Sequence, residues 1–186
     1  MRFIAGPQPS DVDQHLDVTP ILLYGQSHTP DLASAGAAAA STVRRHRLTP
    51  ASLAWDFLSI SLAVVTADGA VKRTLSPDGW TRELEIQVAV SDPNIWESLA
   101  SDLSAALAFL TTDVWSVHFV GGAMEPAPPK APVAPDSDSV ALLSGGLDSL
   151  VGTIDLAAQG HRLLAVSHTV RGDREKQELF AKAVGA

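Results

Sequence analysis

The chain has no cysteine in 186 residues, so neither a disulfide nor a thiolate zinc site can form within it. It is also poor in cations: 13 Lys and Arg stand against 21 Asp and Glu, a formal charge of −8. Neutralising a nucleic-acid backbone takes clustered Lys and Arg, so nucleic acid is not the expected partner. No stretch of about 18 consecutive apolar residues occurs, which argues against a membrane span. The N-terminus, MRFIAGPQPS, has one arginine and too few apolar residues for a secretory leader. These absences fit a cytoplasmic protein with no membrane partner. The one basic cluster, Arg44-Arg45-His46-Arg47, reads as a solvated loop rather than a phosphate patch. The six histidines lack any HxxxH-type spacing, so no metal site is assigned to them.

What is present divides in two. Residues 121–137, GGAMEPAPPKAPVAPDS, hold five prolines and no apolar periodicity. Such a stretch reads as an extended, semi-stiff spacer between an N-terminal domain, 1–120, and a second region, 138–186. In the first half, Met1–Ile4 and Pro20–Tyr24 read as strands, and the Ala-, Ser- and Gly-rich run Gln26–Ser41 as a long loop. Thr49-Pro50 offers an N-cap and a first-turn proline. Leu53, Phe57, Ile60 and Val64 then predict a helix ending near Asp68-Gly69. Leu84, Ile86, Val88 and Val90 alternate with polar residues, as in a half-buried strand. A helix capped by Ser91 or Asp92 follows, with Trp96, Leu99, Leu103, Leu107 and Leu110 as its stripe, and Trp115–Val120 closes an α+β domain. The four tryptophans read as core, with partner docking as the alternative.

Beyond the spacer the order is strand (Val140–Leu143), turn, helix (Leu147–Gln159), strand (Leu163–Ser167), loop and helix (Arg174–Val184). Alternating strands and helices predict a parallel α/β sheet with right-handed crossovers. Two strands leave a sheet face and edges bare, so this region is read as the truncated front of a longer domain.

The turn is VALLSGGLDSLVG. At the carboxyl end of a parallel strand, with a helix starting at once, unsatisfied N–H groups and the helix dipole favour an anion. Gly145 and Gly146 permit positive φ and close backbone approach. Ser144 and Ser149 add hydroxyls, giving a nest for phosphate oxygens. Asp148 repels bare phosphate but suits a Mg²⁺ ion bridged to it. The turn is neither GxxxxGK[ST] nor GxGxxG. A ligand-free βα turn is the alternative, and the glycine pair alone does not exclude it.

SGGLDS resembles the PP-loop of the ATP pyrophosphatase superfamily, which cuts ATP between the α- and β-phosphates. The run LLSGGLDSLVGTIDLAAQGHRLLAVSHTVRGDREKQELFAKAVGA is most similar to the 7-cyano-7-deazaguanine synthase branch. TADGAVKR, DGWTRELEIQVAVSDPNIW and LAFLTTDVWSVHF resemble the extra N-terminal domain of synthase-like proteins from bacterial anti-phage defence, the four-component Qat system and a cyclic-nucleotide signalling branch among them. The resemblance implies an adenine-nucleotide-hydrolase-like (HUP) sheet with ATP and Mg²⁺ as cofactors.

Residue by residue, it implies that Ser144, Gly145, Gly146, Leu147, Asp148 and Ser149 hold the phosphates. Leu147 would point into the sheet–helix interface, Asp148 would sit near Mg²⁺, and Asp148 and Ser144 are the catalytic candidates. Val166, Ser167 and His168 would read adenine, although His168 also suits a plain loop or capping role. Arg171, Arg174 and Lys176 reach phosphate or a substrate carboxylate, or are solvated helix-start charges. The implied chemistry is adenylation of a deazaguanine-like carboxylate with loss of pyrophosphate, then displacement of AMP by an amine, ammonia or a partner protein's N-terminus. The family's four-cysteine Zn²⁺ site has no counterpart in these residues. Other readings are a tRNA-modifying ligase or sulfurtransferase, an amidotransferase synthetase, or a non-catalytic ATP-binding scaffold.

Overall fold

The computed structural model describes residues 1–7, 18–25, 33–168 and 172–185. They form two units, Met1–Val133 and Ala134–Ala186. The division falls inside the expected spacer, and most of the proline-rich segment belongs with the first unit. There Ala123, Pro126 and Pro129 are half-buried while their neighbours are mostly exposed. That three-residue period is the period of a polyproline II helix. The Val133 N–H donates to the Arg47 carbonyl, fastening its end.

The first unit is a five-stranded sheet with β1 (Arg2–Gly6), β2 (Val18–Leu23), β3 (Ala33–Ala35), β4 (Glu83–Ala89) and β5 (Val114–Val120). The order is β3-β2-β1-β4-β5, and every neighbouring pair is parallel. The α+β expectation is therefore corrected: this is an α/β unit built on a parallel sheet. The expected loop over Gln26–Ser41 contains β3 and α1 (Ala37–Arg45), with 26–32 outside the described residues. Arg44 and Arg45 occupy the last turn of α1, where cations favour the helix dipole.

The helix α2 (Ser52–Ala70) starts after Ala51 with no side-chain cap, so Thr49 does not serve. Its buried face is also rotated from the expected stripe. Trp55, Asp56, Ser59, Ile60, Ala63 and Ala67 are buried, while Leu53 and Phe57 are exposed. Small Ala63 and Ala67, both fully buried, let the helix lie close on the sheet. α2 is long and apolar enough to cross a membrane by length and mean hydropathy, 1.3. In this fold it is the core helix, and its polar groups have partners. The Asp56 carboxylate accepts from the Ser91 N–H (2.9 Å), the Ser91 hydroxyl (2.6 Å) and the Trp96 indole (2.9 Å).

The single helix expected after Ser91 is two, α3 (Pro93–Glu97) and α4 (Ala100–Thr111). Asp92 caps α3, accepting from Asn94 and Ile95. Leu103 and Leu107 pack on the core, whereas Leu110 is exposed. At the amino ends of β4 and β5, Asp113 takes a bidentate contact from Arg73 across both oxygens, and Arg82 Nε and Nη2 both donate to its Oδ2. Burial alone would raise this carboxyl, but the hydrogen bonds and charge of Arg82, aided by Arg73, hold it at about 2. Trp55, Trp96 and Trp115 are core; Trp80 is exposed, with the Arg73 guanidinium 5.3 Å from its ring centroid.

The second unit follows expectation element by element: β6 (Ser139–Leu142), α5 (Leu147–Ala158), β7 (Leu163–Val166) and α6 (Arg174–Val184). The two strands pair in parallel. Ala141 and Leu143 are buried, while Val140, Leu142, Leu164 and Val166 are exposed by the alternation of the pleat.

Candidate functional site: the Ser144–Ser149 loop

The loop sits where β6 ends and α5 begins. Gly145 has φ 90°, a conformation that costs an L side chain about 1–2 kcal/mol. Gly146 differs from expectation: at φ −88°, ψ 165° it is ordinary extended backbone in the N-cap position of α5. Only the first glycine of the pair is demanded by backbone conformation.

Four contacts shape the loop. The Gly146 N–H donates to Ser144 Oγ (3.3 Å), and the Ser149 hydroxyl donates to the Gly146 carbonyl (2.9 Å). Ser149 Oγ has one hydrogen, already given to Gly146, so in the 3.0 Å hydroxyl pair Ser144 donates to Ser149. The ring Gly146 N–H to Ser144 to Ser149 to Gly146 C=O is thus closed. The Ser144 N–H adds a bond to Ser149 Oγ at 3.2 Å. Thr153, buried, donates to the Ser149 carbonyl at 2.6 Å and ties that turn of α5 to the core side. The serines therefore brace the loop. The N–H groups of Gly145, Leu147 and Asp148 have no backbone or side-chain acceptor among the described residues, and the last two open a helix. They are the donors an anion would meet.

Asp148 lies exposed in the first turn of α5. No group of three or more His, Asp or Glu side chains that could hold a metal occurs among the described residues. A single carboxylate fits a cation that takes most of its oxygen ligands from phosphates and water. Leu147 does not enter the sheet–helix interface: it is 73% exposed, because the first residue of α5 points away from the buried Thr153 side.

Beside the loop is an open cavity of about 490 Å³ lined by Leu142, Leu143, Ser144, Val166, Ser167, His168 and Asp173. It brings Ser144 together with Val166, Ser167 and His168, at the carboxyl ends of two parallel strands. The Ser167 hydroxyl donates to the Leu143 carbonyl at 2.7 Å. Gly145, Gly146, Leu147, Asp148 and Ser149 lie off its wall. Arg174 is engaged by Glu178 at 2.8 Å, Lys176 is exposed, and Arg171 lies outside the described residues.

Sequence reasoning missed Gln177 and Asp173. Gln177 is buried on the inward stripe of α6 with half-buried Phe180, Ala181 and Val184, and Asp173 precedes the helix at its N-cap. A glutamine in an otherwise apolar stripe was the available signal. It also missed Asp138, Ser139 and His161, which meet at the opposite ends of the strands. Both Ser139 Oγ (3.1 Å) and Asp138 Oδ1 (3.2 Å) contact the same ring nitrogen, His161 Nδ1. A serine–histidine–aspartate relay needs one partner on each nitrogen, so this cluster is not a nucleophile centre. In the first unit, a cavity of about 450 Å³ is lined by Tyr24, Ala40, Ser41, Arg44 and Met124 among others. The loop, with its unpartnered N–H groups at a helix start, remains the better candidate.

No family model matches the chain, and no curated protein or solved structure matches it.

Proposed function

We propose that residues 138–186 bind the phosphates of ATP, and that the chain is a 7-cyano-7-deazaguanine synthase-like ligase of the adenine-nucleotide-hydrolase (HUP) type. What carries the reading is the Ser144–Ser149 loop, with its glycine at φ 90°, whose first residue, Ser144, lines a cavity between two parallel strand ends.

The Gly145, Leu147 and Asp148 N–H groups would receive phosphate oxygens at the positive end of α5. Ser144 and Ser149, rotating out of their ring, would add two hydroxyl donors. Asp148 would orient Mg²⁺ on those phosphates. The apolar wall of Leu142 and Val166, with the backbone of Ser167 and His168, would take a flat base. ATP would supply the adenylyl group that activates a carboxylate for amide or nitrile formation. The chain's own part is to place that phosphate and stabilise the charge of departing pyrophosphate through fixed N–H groups. A role in bacterial anti-phage defence, with a protein amine as acceptor, rests on the N-terminal resemblance.

A non-catalytic ATP-binding scaffold is the second reading, since the loop's unpartnered N–H groups can hold phosphate whether or not turnover follows. AMP formation decides between them. With ATP, Mg²⁺ and 7-carboxy-7-deazaguanine, the ligase produces carboxylate-dependent AMP that Asp148→Ala abolishes. ATP binding without AMP leaves the scaffold.

A further inference from the structure

Gln177 lies in the first turn of α6 with only 5% of its surface exposed. Its Nε2 donates to two carbonyls, Ser144 at 3.1 Å and His168 at 3.2 Å. Both partners are acceptors only, so chemistry alone requires the amide nitrogen to face them. Ser144 is the first residue of the loop, and His168 is at the exit of β7. One side chain on a third element therefore clasps the two strand exits that flank the cavity. A Cβ built on Gly145 would stand 3.5 Å from Gln177 Cγ, so the stem of Gln177 also lies under the bend of the loop. An apolar residue of equal volume would fill the same space and leave both carbonyls without this donor.

We propose that Gln177 is a positioning residue that sets the span between the phosphate loop and the base-binding strand exit. This deepens, and rests on, the phosphate-loop reading above. Its consequence is selective. A ligand that touches the loop alone is indifferent to the span, while one that bridges loop and β7 exit depends on it.

The test is calorimetric titration of the full chain with Mg²⁺–pyrophosphate and Mg²⁺–ATP, in wild type, Gln177→Met and Gln177→Asn. Methionine keeps the length and removes both donors; asparagine keeps the donors on a stem one methylene shorter. Thermal melts accompany each titration, and the asparagine variant carries the test if the methionine variant does not fold. The expected result is a loss of about tenfold or more in ATP affinity with less than about twofold in pyrophosphate affinity. Equal losses for the two ligands, or none, overturn the role of Gln177 and leave the loop reading standing. A wild-type chain that binds pyrophosphate but not ATP overturns the span. One that binds neither overturns the phosphate-loop reading, and this proposal with it.

Discussion

The first unit buries Phe3, Ile21, Ala63, Ala67, Ile86, Val88 and Val90 to 1% exposure or less, across three strands and a helix. Among the described residues of the second, only Leu143 and Thr153 reach that level, while Leu142 is 76% exposed and Val140 63%. Both are parallel α/β units, yet one has a core and the other has half of one. A strand in a parallel sheet is stabilised by what covers it as much as by its ladder. Five strands under α2, α3 and α4 supply that cover over one broad face, whereas two strands with two helices supply it over a much smaller one. The candidate chemistry lies in the less buried unit, consistent with binding loops belonging to the low-stability part of a structure.

Substitutions can sharpen that contrast or break it. The largest loss is expected from Asp113→Ala, which removes the buried carboxylate shared by Arg82 and Arg73 and leaves Arg82 with Asp68 and two backbone carbonyls; urea unfolding of the first unit should show about 3–5 kcal/mol. The same carboxylate sets an acid limit. Its folded pKa, about 2, lies below the ordinary 3.8. Its stabilising contribution is therefore complete above pH 3.8 and lost as pH falls towards 2, and Asp113→Asn should flatten that part of the acid-unfolding curve. Ile86→Ala, at a fully buried site, should cost about 2–5 kcal/mol by the same urea assay.

Effects in the second unit should be smaller and local. Gly145→Ala forces a Cβ into a left-handed backbone and should cost about 1–2 kcal/mol, read by hydrogen exchange at the Ser144–Ser149 amides. Gly146→Ala should cost about 0.5 kcal/mol, through a poorer N-cap alone. Leu142→Ser should change stability by less than about 0.5 kcal/mol. A loss of several kcal/mol there in solution would show that the exposed face is covered, and the contrast between the units would fail.

The second unit was legible because each of its signals is local. A short apolar run, the glycine-containing turn and two periodic helices fall within 50 residues, and α6 begins and ends at the expected positions, Arg174 and Val184. The first was misread where the deciding interaction is distant. β5 alternates buried with exposed residues and β4 buried with half-buried or exposed ones, a pattern more common in antiparallel sheets with one wet face. Its exposed row includes Glu85, paired with Arg2 at 3.2 Å from a strand more than 80 residues away. Nothing within β4 encodes a parallel partner. The face of α2 was likewise misjudged because hydrophobicity favoured Leu53 and Phe57, while close approach to the sheet favoured Ala63 and Ala67.

In the candidate site, the loop and the strand end at Val166–His168 were readable from motif and order. The direction of Leu147, the unequal roles of Gly145 and Gly146, and the clasp of Gln177 were not. The sequence by itself determined where most strands and helices lie, the acidic charge, and a Ser-Gly-Gly turn at a strand–helix junction, because those follow from neighbours along the chain. Tertiary structure decided strand direction, the buried face of α2 and the residue joining Ser144 to His168. These depend on groups 24 to more than 80 positions apart, which meet only when the chain has folded.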